Sequence, residues 1–303
     1  MENSTKYKVA VKCCTYNQAQ YITDALNGFV MQETDFPFVC CIIDDASTDG
    51  EQEVIRKYVA ENFDLSEPDV AYEKETDDAY IMYARHKSNK NCFFAVLYLK
   101  KNLFHENEKK LGLISEWMDN TDYIALCEGD DYWTDPSKLQ KQVDYLEHNK
   151  NISIATHNAI RVFSDGREEP FNCGVKTGVY NLSQSLYKGW FTPTASFLFR
   201  NDFVVSPLWM KNGSNGDMAY LFSNLLKGNL FYSDEIMSVY NYGTPFSMSS
   251  STPKGILYQK KLGMLKTINQ LSDNKYIVST FPLMIAFYIK KIIYYIMNFM
   301  RNK

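Results

Sequence analysis

Three short apolar runs, each ending abruptly in polar residues, constrain the fold of this 303-residue chain more than any other feature. They are Lys8–Cys14, Phe38–Ile43 and Asp122–Cys127. Runs of this length are typical of strands buried on both faces of a parallel sheet. The first two are followed by stretches with the apolar spacing of amphipathic helices. The pattern therefore predicts successive β-α units, right-handed crossovers, and an α/β fold whose Rossmann-like, mostly parallel central sheet has helices on both faces.

The third run leads into a cluster of carboxylates flanked by aromatic residues. Glu128, Asp130 and Asp131 are followed directly by Tyr132-Trp133. In open parallel sheets, ligands bind beyond the carboxyl ends of the strands. Adjacent carboxylates there repel each other unless a cation or a hydrogen-bonding ligand compensates them, and oxygen ligands suit Mg²⁺ or Mn²⁺. The cluster predicts a metal–diphosphate site and thus a nucleotide-linked substrate, with a solvated acidic loop as the alternative.

Net charge, cysteine spacing and the first residues argue against several classes of protein. The formal net charge of −4 argues against nucleic-acid binding. The seven cysteines include no CxxC pair, and four of them form adjacent pairs inside apolar runs, which favours buried thiols in a reducing cytosol over disulfides or a zinc site. The first residues contain no apolar segment typical of a secretory signal, so we expect a cytoplasmic protein.

The remaining segments extend the same alternation. Further strands are predicted at Cys92–Leu99, Ile152–Thr156 and Ala195–Arg200, and further helices at Lys109–Met118, after the Asp135-Pro136 cap, and at Asp217–Lys227. Thr48 and Glu51 have the spacing of a capping box for the helix that follows the second strand. Residues 64–91 are polar and acid-rich, and are interpreted as a variable excursion.

Three motifs, each placed after a predicted strand, carry a family resemblance. They are Thr15-Tyr-Asn17, Ile43-Asp-Asp-Ala-Ser-Thr-Asp49, and Glu128-Gly-Asp-Asp-Tyr-Trp-Thr-Asp-Pro136. Together they resemble the family-2 glycosyltransferases, which have the GT-A fold, over roughly residues 8–242. The resemblance implies one catalytic domain over 1–250, with a donor half (1–127) and an acceptor half (128–250), and a helical tail over 251–303. A Rossmann dehydrogenase is disfavoured because the first turn lacks glycine.

The resemblance implies a donor site at the first two loops. Its predicted members are Cys14, Thr15, Tyr16, Asn17, Asp44, Asp45 and Asp130. An aromatic ring can stack on a base, and a carboxylate can accept the imide N–H of uracil, which favours UDP as the carrier. The alternatives are a core position for Tyr16, and a turn and helix cap for Asp44 and Asp45.

The resemblance also implies the metal site and the catalytic base. Asp131 matches the main ligand of Mn²⁺ or Mg²⁺, and Asp130 faces the donor ribose or the metal, which would neutralise the departing diphosphate. Many relatives have another residue at the position of Glu128, so the resemblance assigns it no role. Asp217, in Asn215-Gly-Asp217, matches the base that deprotonates the acceptor, and a helix N-terminus there would favour its ionised form. An ordinary N-cap is the alternative.

On the acceptor side the resemblance implies Trp133, Trp190, Thr194 and Ser196. The loop at 240–251, basic in many relatives, here contains no Arg, His or Lys, so diphosphate contacts would come from hydroxyls, from Lys109 or Lys110, or from the metal. His157 is interpreted as a polar core group rather than a catalyst.

The segment Phe281–Met300 is strongly apolar, with Lys290-Lys291 at its centre. Each lysine would disfavour a membrane-spanning helix by roughly 2.5–3.5 kcal/mol. An amphipathic helix on a membrane surface is therefore predicted for 281–300, with a helix packed on the protein or on a partner chain as the alternative.

The resulting functional hypothesis is an inverting, metal-dependent glycosyltransferase. It moves a sugar from a nucleotide-sugar, with UDP favoured, to a saccharide or lipid-linked acceptor in bacterial polysaccharide biosynthesis. Its expected location is the cytoplasm, at the inner face of the plasma membrane, and a homodimer is left open. A nucleotidyltransferase and a non-catalytic nucleotide-sugar-binding scaffold are the alternatives.

Overall fold

A computed structural model describes residues 7–104, 106–202, 205–214, 216–244 and 252–301, apart from the side chains of residues 107, 108 and 301. The strands are β1 Val9–Thr15, β2 Phe38–Asp44, β3 Ala71–Glu75, β4 Ala79–Arg85, β5 Cys92–Leu99, β6 Tyr123–Leu126, β7 Tyr132–Trp133, β8 Ile152–Phe163, β9 Glu168–Pro170, β10 Gly178–Tyr180, β11 Leu198–Arg200 and β12 Asn229–Tyr242. The helices are α1 Ile22–Val30, α2 Glu51–Asn62, α3 Asn107–Met118, α4 Lys138–His148, α5 Leu182–Lys188, α6 Leu208–Lys211, α7 Gly216–Lys227, α8 Lys254–Leu271 and α9 Ile277–Arg301.

One continuous sheet runs through residues 9–242. Its strand order is β10-β12-β8-β11-β6-β1-β2-β5-β4-β3. The central strands β5, β2, β1 and β6 are parallel, as is the pair β8–β12, whereas β11 and the β4–β3 edge run antiparallel to their neighbours. The predicted α/β class is confirmed, with a sheet that is mostly but not wholly parallel by paired residues.

The central strands are buried on both faces, as their continuous apolar runs predict. Alternation sends Cys40 into the core beneath α1, α2 and α4, and Cys41 into the opposite core beneath α3 and α5–α8. In the described part of the chain every cysteine is free, and of these only Cys173 is exposed. His157 is fully buried, its Nδ1 lies 2.8 Å from the carbonyl oxygen of Asn158, and burial lowers its pKa well below the usual range.

Residues 64–91, interpreted as a variable excursion, contain the β3–β4 hairpin, which extends the sheet edge beside β5. Most of β3 is exposed, so it shows no apolar run that could indicate a strand. Two local predictions were wrong. The capping box is absent, because α2 follows Gly50 without a side-chain cap. Helix α4 begins at Lys138, two residues after Pro136, again without a side-chain cap.

The predicted helical tail consists of two long helices, α8 and α9. They are joined near the turn by a hydrogen bond from the Thr280 hydroxyl to the Asn269 side chain at 2.8 Å, and further along by one between Lys291 and Gln259. Met264, Leu265 and Ile268 of α8 belong to the core on the α7 face of the sheet. The tail is therefore anchored on the body through α8.

Candidate active site

The loops predicted to bind the donor and the metal meet at one edge of the sheet. Strand β1 lies between β2 and β6 and is parallel to both, so the ends of all three strands meet there. The Asp45 N–H donates to the Thr15 carbonyl at 3.0 Å, and the Gly129 N–H donates to the Cys14 carbonyl at 3.2 Å. Two backbone hydrogen bonds thus fix the second and third loops against the first.

Gly129 allows the third loop to approach the first closely. A Cβ atom at this position would lie 2.3 Å from Oγ1 of Thr15 and 2.7 Å from Oε1 of Gln18. Any larger residue would displace the loop. The glycine between Glu128 and Asp130 is therefore a requirement of packing at the site.

A buried carboxylate, Glu51, holds the first loop in shape. It is fully buried and accepts hydrogen bonds from the Thr15 hydroxyl, from the Gln18 N–H at 2.9 Å and from the Ser47 hydroxyl at 2.8 Å. Burial raises its pKa, and these three donors act in the opposite direction. The residue predicted to complete a capping box thus ties the first loop to the second.

The backbone and the side chain of Asn17 also form hydrogen bonds within the protein. It has a positive φ of 54°, donates its N–H to Ser47 at 2.9 Å and accepts the Thr48 N–H at 2.8 Å. Cys14 and Tyr16 are half-buried beside it. Among the predicted donor residues of this loop, Thr15 and Asn17 therefore shape it, whereas Cys14 and Tyr16 keep partly open surfaces.

Asp44 and Asp45 point to opposite faces of the sheet. Asp45 accepts the Leu103 N–H at 2.6 Å and the Lys110 ammonium at 2.9 Å, and its carbonyl accepts the Asn102 amide at 3.0 Å. Asp44 is fully buried on the α2 face, where one oxygen accepts bonds from Ser47 and Gln52 and the other has no partner. Burial raises the pKa of Asp44.

The partners of Asp45 were not assigned a donor role from the sequence. Lys110 was named only as one of several possible phosphate contacts, and Asn102 was not singled out. A signal for Lys110 exists, because it shares one face of α3 with the buried Ile114 and Trp117. A lysine on a buried helix face needs a charged partner, and here that partner is Asp45.

An open cleft of about 450 Å³ lies between α2 and the ends of β4 and β5. Its lining includes Ser47, Gln52, Arg56, Tyr80 and Tyr98, and the Arg56 guanidinium lies 3.9 Å from the Tyr98 ring centre. Neither Lys110 nor the carboxylates of the third loop line this cleft.

Residues at the end of β12 form hydrogen bonds to the two aspartates of the third loop. The Asn241 N–H donates to Oδ1 of Asp131 at 3.0 Å, and the Asn241 amide donates to the carbonyl of Asp130 at 2.6 Å. The Thr244 hydroxyl donates to Oδ2 of Asp130 at 2.7 Å. Of the loop interpreted as the diphosphate cover, residues 245–251 lie outside the described residues. Its described part contacts the aspartates through an amide and a hydroxyl.

Burial raises the pKa of Asp130 and of Asp131, and the charges of Asp130 and Glu128 raise that of Asp131 further. Within the described residues, no group of three or more His, Cys, Asp or Glu side chains is arranged to hold a metal ion. The donor set nevertheless fits Mg²⁺ or Mn²⁺, which bind through one or two carboxylates and complete their shell with water and substrate phosphates. A divalent cation would relieve the repulsion that raises these pKa values.

Glu128 connects the third loop with the start of α7. Its side chain is exposed. Partial desolvation, followed by the charges of Asp130 and Asp217, raises its pKa. The pKa of Glu128, whose role the sequence left open, therefore depends on the residues assigned to the metal and to the base.

Asp217 lies in the first turn of α7, half-buried, with Oδ1 accepting the N–H of Met218 at 2.7 Å. A capping side chain bonds two or three residues ahead, so this bond to the next residue differs from an N-cap contact. Asn215 lies outside the described residues. The helix dipole predicted an easily ionised carboxylate, whereas burial raises the pKa of Asp217.

Lys12 is a charged residue of the site that the sequence analysis missed. It lies in the middle of β1, half-buried, with Nζ 3.4 Å from the Tyr220 hydroxyl of α7 and 5.2 Å from the centre of that ring. Its charge lowers the pKa of Glu128. A lysine inside a buried parallel strand is itself unusual, and that was the available signal.

The predicted acceptor residues divide into two groups. Trp133 is in the core, packed against Phe29 with its indole N–H donated to the Ala195 carbonyl at 2.8 Å, and Ser196 is fully buried and bonded to Thr192. Neither placement fits the predicted contact with an acceptor, because no face of these side chains is open. Thr194 and Trp190 are half-buried and retain some accessible surface.

Comparison with known proteins adds a family match. Residues 11–93 match the family model described as Glycosyl transferase family 2. The uncharacterized protein Rv1520 of Mycobacterium tuberculosis is 32% identical over 161 residues, which are 53% of this chain and 38% of that protein. The uncharacterized protein Mb1547 of Mycobacterium bovis matches equally. The chain thus spans 38% of the length of these curated relatives.

Solved structures share the fold. S. aureus TarS 1–349 in complex with UDP-GlcNAc has a TM-score of 0.56 at 18% identity, covering 86% of this chain and 66% of that chain. The same protein with UDP has a TM-score of 0.54 at 16% identity, covering 86% and 65%. At these identities the structures show a similar fold, and the likeness to glycosyl transferase family 2 rests on the match over residues 11–93. This family match confirms the resemblance that the three motifs predicted.

The family match covers the first two loops of the chain and ends before the third. Thr15, Asp44 and Asp45 lie inside residues 11–93, whereas Glu128, Asp131 and Asp217 lie beyond them. The roles of the third loop and of α7 therefore depend on the geometry described above.

Proposed function

We propose that the protein is an inverting, metal-dependent glycosyltransferase that uses a nucleotide-sugar, with UDP as the favoured carrier. One observation carries the proposal: the adjacent carboxylates of Asp130 and Asp131 are buried together just after β6, and Thr244 and Asn241 at the end of β12 each bond an oxygen of one of them. Strongly shifted carboxylates in one location are typical of acid–base or metal chemistry. The match to glycosyl transferase family 2 gives that chemistry its class.

The donor would lie along the first two loops. Cys14 and Tyr16 offer partly open surfaces to the nucleoside, and Thr15, Asn17 and Asp45 maintain the loop that presents them. Asp44 faces α2, so its contribution would be to the second loop. S. aureus TarS 1–349, of similar fold, has been crystallised with UDP and with UDP-GlcNAc, which supports a uridine carrier.

Asp131, with Asp130, would hold Mn²⁺ or Mg²⁺. When bound, the ion neutralises charge on the diphosphate as it leaves. The chain prepares this position by burying both carboxylates and by fixing one oxygen of each through Asn241 and Thr244. Fixed ligands bind an ion at lower reorganisation cost than mobile ones.

Asp217 would remove the proton from the acceptor hydroxyl. As that oxygen forms its bond to the anomeric carbon, the bond from this carbon to the diphosphate oxygen breaks, and a single displacement inverts the configuration. Burial brings the pKa of Asp217 upward towards the working range of a general base. The charge of Asp217 is among the causes that raise the pKa of Glu128, and the charge of Lys12 acts in the opposite direction.

The acceptor side would be formed by the partly open Trp190 and Thr194, at the approach from β11. A saccharide or lipid-linked saccharide of bacterial polysaccharide assembly suits such a site, with the enzyme in the cytoplasm. Residues 1–250 would act as one catalytic domain, divided near residue 127 into donor and acceptor halves that share the same sheet.

The test is to incubate the full chain with Mn²⁺ and a panel of UDP-, GDP- and dTDP-sugars, and to follow the released phosphates. Release of UDP from one donor, with an inverted anomeric centre in the product, is the expected result. Release of sugar 1-phosphate in place of UDP would instead identify a nucleotidyltransferase, because attack at the α-phosphorus of a nucleotide-sugar expels the sugar phosphate. Tight donor binding without turnover across a set of acceptors would identify a binding scaffold.

A further inference from the structure

Charge is distributed very unevenly along the chain. Residues 251–303 contain eight lysines and one arginine but a single aspartate, whereas the whole chain has a net charge of −4. The catalytic region is therefore strongly acidic and the tail strongly basic. A basic segment of this kind is attracted to anionic surfaces.

The same tail carries most of the exposed apolar surface of the described residues. On α9 the exposed large apolar side chains are Ile277, Val278, Phe281, Ile285, Tyr288, Ile289, Ile292, Ile293, Tyr295, Ile296, Met297, Phe299 and Met300. Val278, Phe281, Ile285, Ile292 and Phe299 recur every three to seven residues, so they share one helix face. A continuous apolar face of this length marks a contact surface.

The opposite face of α9 packs on the protein. The Phe287 ring stacks on Tyr258 of α8 with centres 6.4 Å apart. A Cβ atom on Gly255 would lie 2.8 Å from the Tyr294 ring, so the C-terminal part of α9 also touches α8 closely. Helix α9 therefore lies along α8 for most of its length, and the side chains of its outer face are exposed.

The two central lysines lie at the borders of the packed face. At about 100° per residue, Lys290 and Lys291 lie on either side of the line through Phe287 and Tyr294. Lys291 bonds Gln259 of α8, and Nζ of Lys290 lies 5.9 Å from the centre of the Phe287 ring. Both ammonium groups thus stay near the body, at the height where lipid headgroups would meet the protein if the outer face entered a bilayer.

We propose that α9 lies flat on the surface of an anionic phospholipid bilayer, with its outer face buried among the acyl chains and the lysines of α8 and α9 at the headgroups. By length and composition, Ile277–Met300 is able to cross a membrane. Spanning is disfavoured by the packing, because α8, with Lys254, Lys260 and Lys266, runs alongside α9 and would be drawn into the hydrocarbon. A helix that lies in the membrane interface keeps its inner face packed on α8 and buries its outer face in lipid.

The test is co-sedimentation of the full chain with phosphatidylcholine vesicles that contain or lack phosphatidylglycerol. Binding should require the anionic lipid and weaken as salt is raised. Neutralising three exposed lysines of the tail, Lys254→Gln, Lys275→Gln and Lys290→Gln, should weaken binding by about fivefold per charge. The matched variant Lys57→Gln, Lys74→Gln, Lys150→Gln removes three exposed lysines elsewhere and should bind as the unmodified chain does.

A second variant tests the apolar face. Ile285→Asp, Ile292→Asp and Ile296→Asp alter residues that are 44–53% exposed, so the fold should persist while vesicle binding is lost. The control Leu65→Asp, Val179→Asp, Met210→Asp changes residues that are 41–59% exposed on the body and should bind normally. UDP affinity, measured without vesicles, reports separately on the donor site and should be the same in all variants.

Three results would overturn the proposal. Equal binding to vesicles with and without phosphatidylglycerol would remove the anionic surface as the partner. Retention of the chain in membranes after an alkaline carbonate wash would show that α9 spans. A lipid-free dimer that the Ile285, Ile292, Ile296 variant converts to monomer would make a second copy of the chain the occupant of this face.

Discussion

The carboxylates on the two sides of the site differ in how their charge is compensated. On the donor side, Asp45 is buried but accepts the Lys110 ammonium at 2.9 Å and the Leu103 N–H at 2.6 Å. On the metal side, burial and neighbouring carboxylates raise the pKa of both Glu128 and Asp131. One side is closed by an ion pair within the protein, whereas the crowded carboxylates of the other favour binding of a proton or a cation.

This difference indicates which residues perform chemistry. A buried ion pair whose two partners bond each other fixes the geometry of a loop. This contribution is lost if the two partners are separated. Crowded carboxylates without a paired cation are costly to the fold, and such costs are typical of sites that bind an ion or move a proton. We therefore expect mutations on the donor side to act on stability and those on the metal side to act on turnover.

The largest effect is expected at Asp217. Asp217→Asn keeps the size and the hydrogen-bond acceptor of the side chain but removes the base, so sugar transfer should fall by ~10²–10⁴-fold. Thermal unfolding and UDP affinity should change little. Full activity in this variant would exclude Asp217 and direct attention to Glu128, the other carboxylate at that position.

The buried pair on the donor side should respond in the opposite way. Lys110→Met leaves Asp45 as an unpaired buried charge, which should lower the free energy of unfolding by about 3–5 kcal/mol. Lys109→Met, which removes the exposed partner of Asp78, is the matched control and should alter stability little. Adding Asp45→Asn to Lys110→Met should recover much of the loss, as followed by urea denaturation without nucleotide.

A third prediction concerns Lys138, which is fully buried over the Trp133 ring with its Nζ 4.0 Å from the ring centre. Burial lowers its pKa to about 7 from 10.5. Between these values the unfolded chain binds a proton that the folded chain does not, so this group makes stability rise with pH, by up to about 1.4 kcal/mol per unit. That contribution is complete above pH 10.5 and is lost as pH falls towards 7.

Lys138→Met should remove this dependence. The variant should be most stabilised relative to the unmodified chain near neutral pH, and the difference should shrink as pH rises. Lys141→Met, on the exposed side of the same helix, is the control. An identical pH dependence of unfolding in the Lys138→Met variant and the unmodified chain would contradict the low pKa.

The smallest effect is expected at Lys12. Its charge lowers the pKa of Glu128, so Lys12→Met should raise that pKa and move the acidic limb of the pH–rate profile upward. Transfer should drop a few-fold at acidic pH and recover in alkaline buffer, well short of the loss of a base. Lys8→Met, which alters a lysine bridging Asp122 at the other end of β1, should leave the profile in place.

The positions of the loops could be predicted from the sequence because each follows an apolar run too regular to be anything but a buried strand. Strand β5, predicted at Cys92–Leu99, has those bounds in the structure. Strand β3 was missed since an exposed edge strand shows no apolar pattern. Lys110 and Lys12 could not be assigned roles, because their partners Asp45 and Tyr220 are 65 and 208 residues away.

At two positions, residue type or local spacing suggested a contact that the structure replaces with another. Trp133, beside two catalytic candidates, was assigned to the acceptor, but strand β7 pairs with β12 and turns its ring into the core. The capping-box spacing of Thr48 and Glu51 was likewise local evidence, and the Thr15 and Ser47 hydroxyls took Glu51 instead. In each case a contact between distant segments replaced the local preference.

The central claim is that the metal-side carboxylates bind a nucleoside diphosphate through a divalent cation. Calorimetric titration of UDP into the full chain, with Mn²⁺ and with chelator, tests it most directly when repeated with Asp131→Asn. We predict Mn²⁺-dependent binding in the unmodified chain, and weak binding that Mn²⁺ no longer improves in Asp131→Asn. Equal UDP affinity in all four measurements would contradict the claim and make the acidic cluster a structural feature.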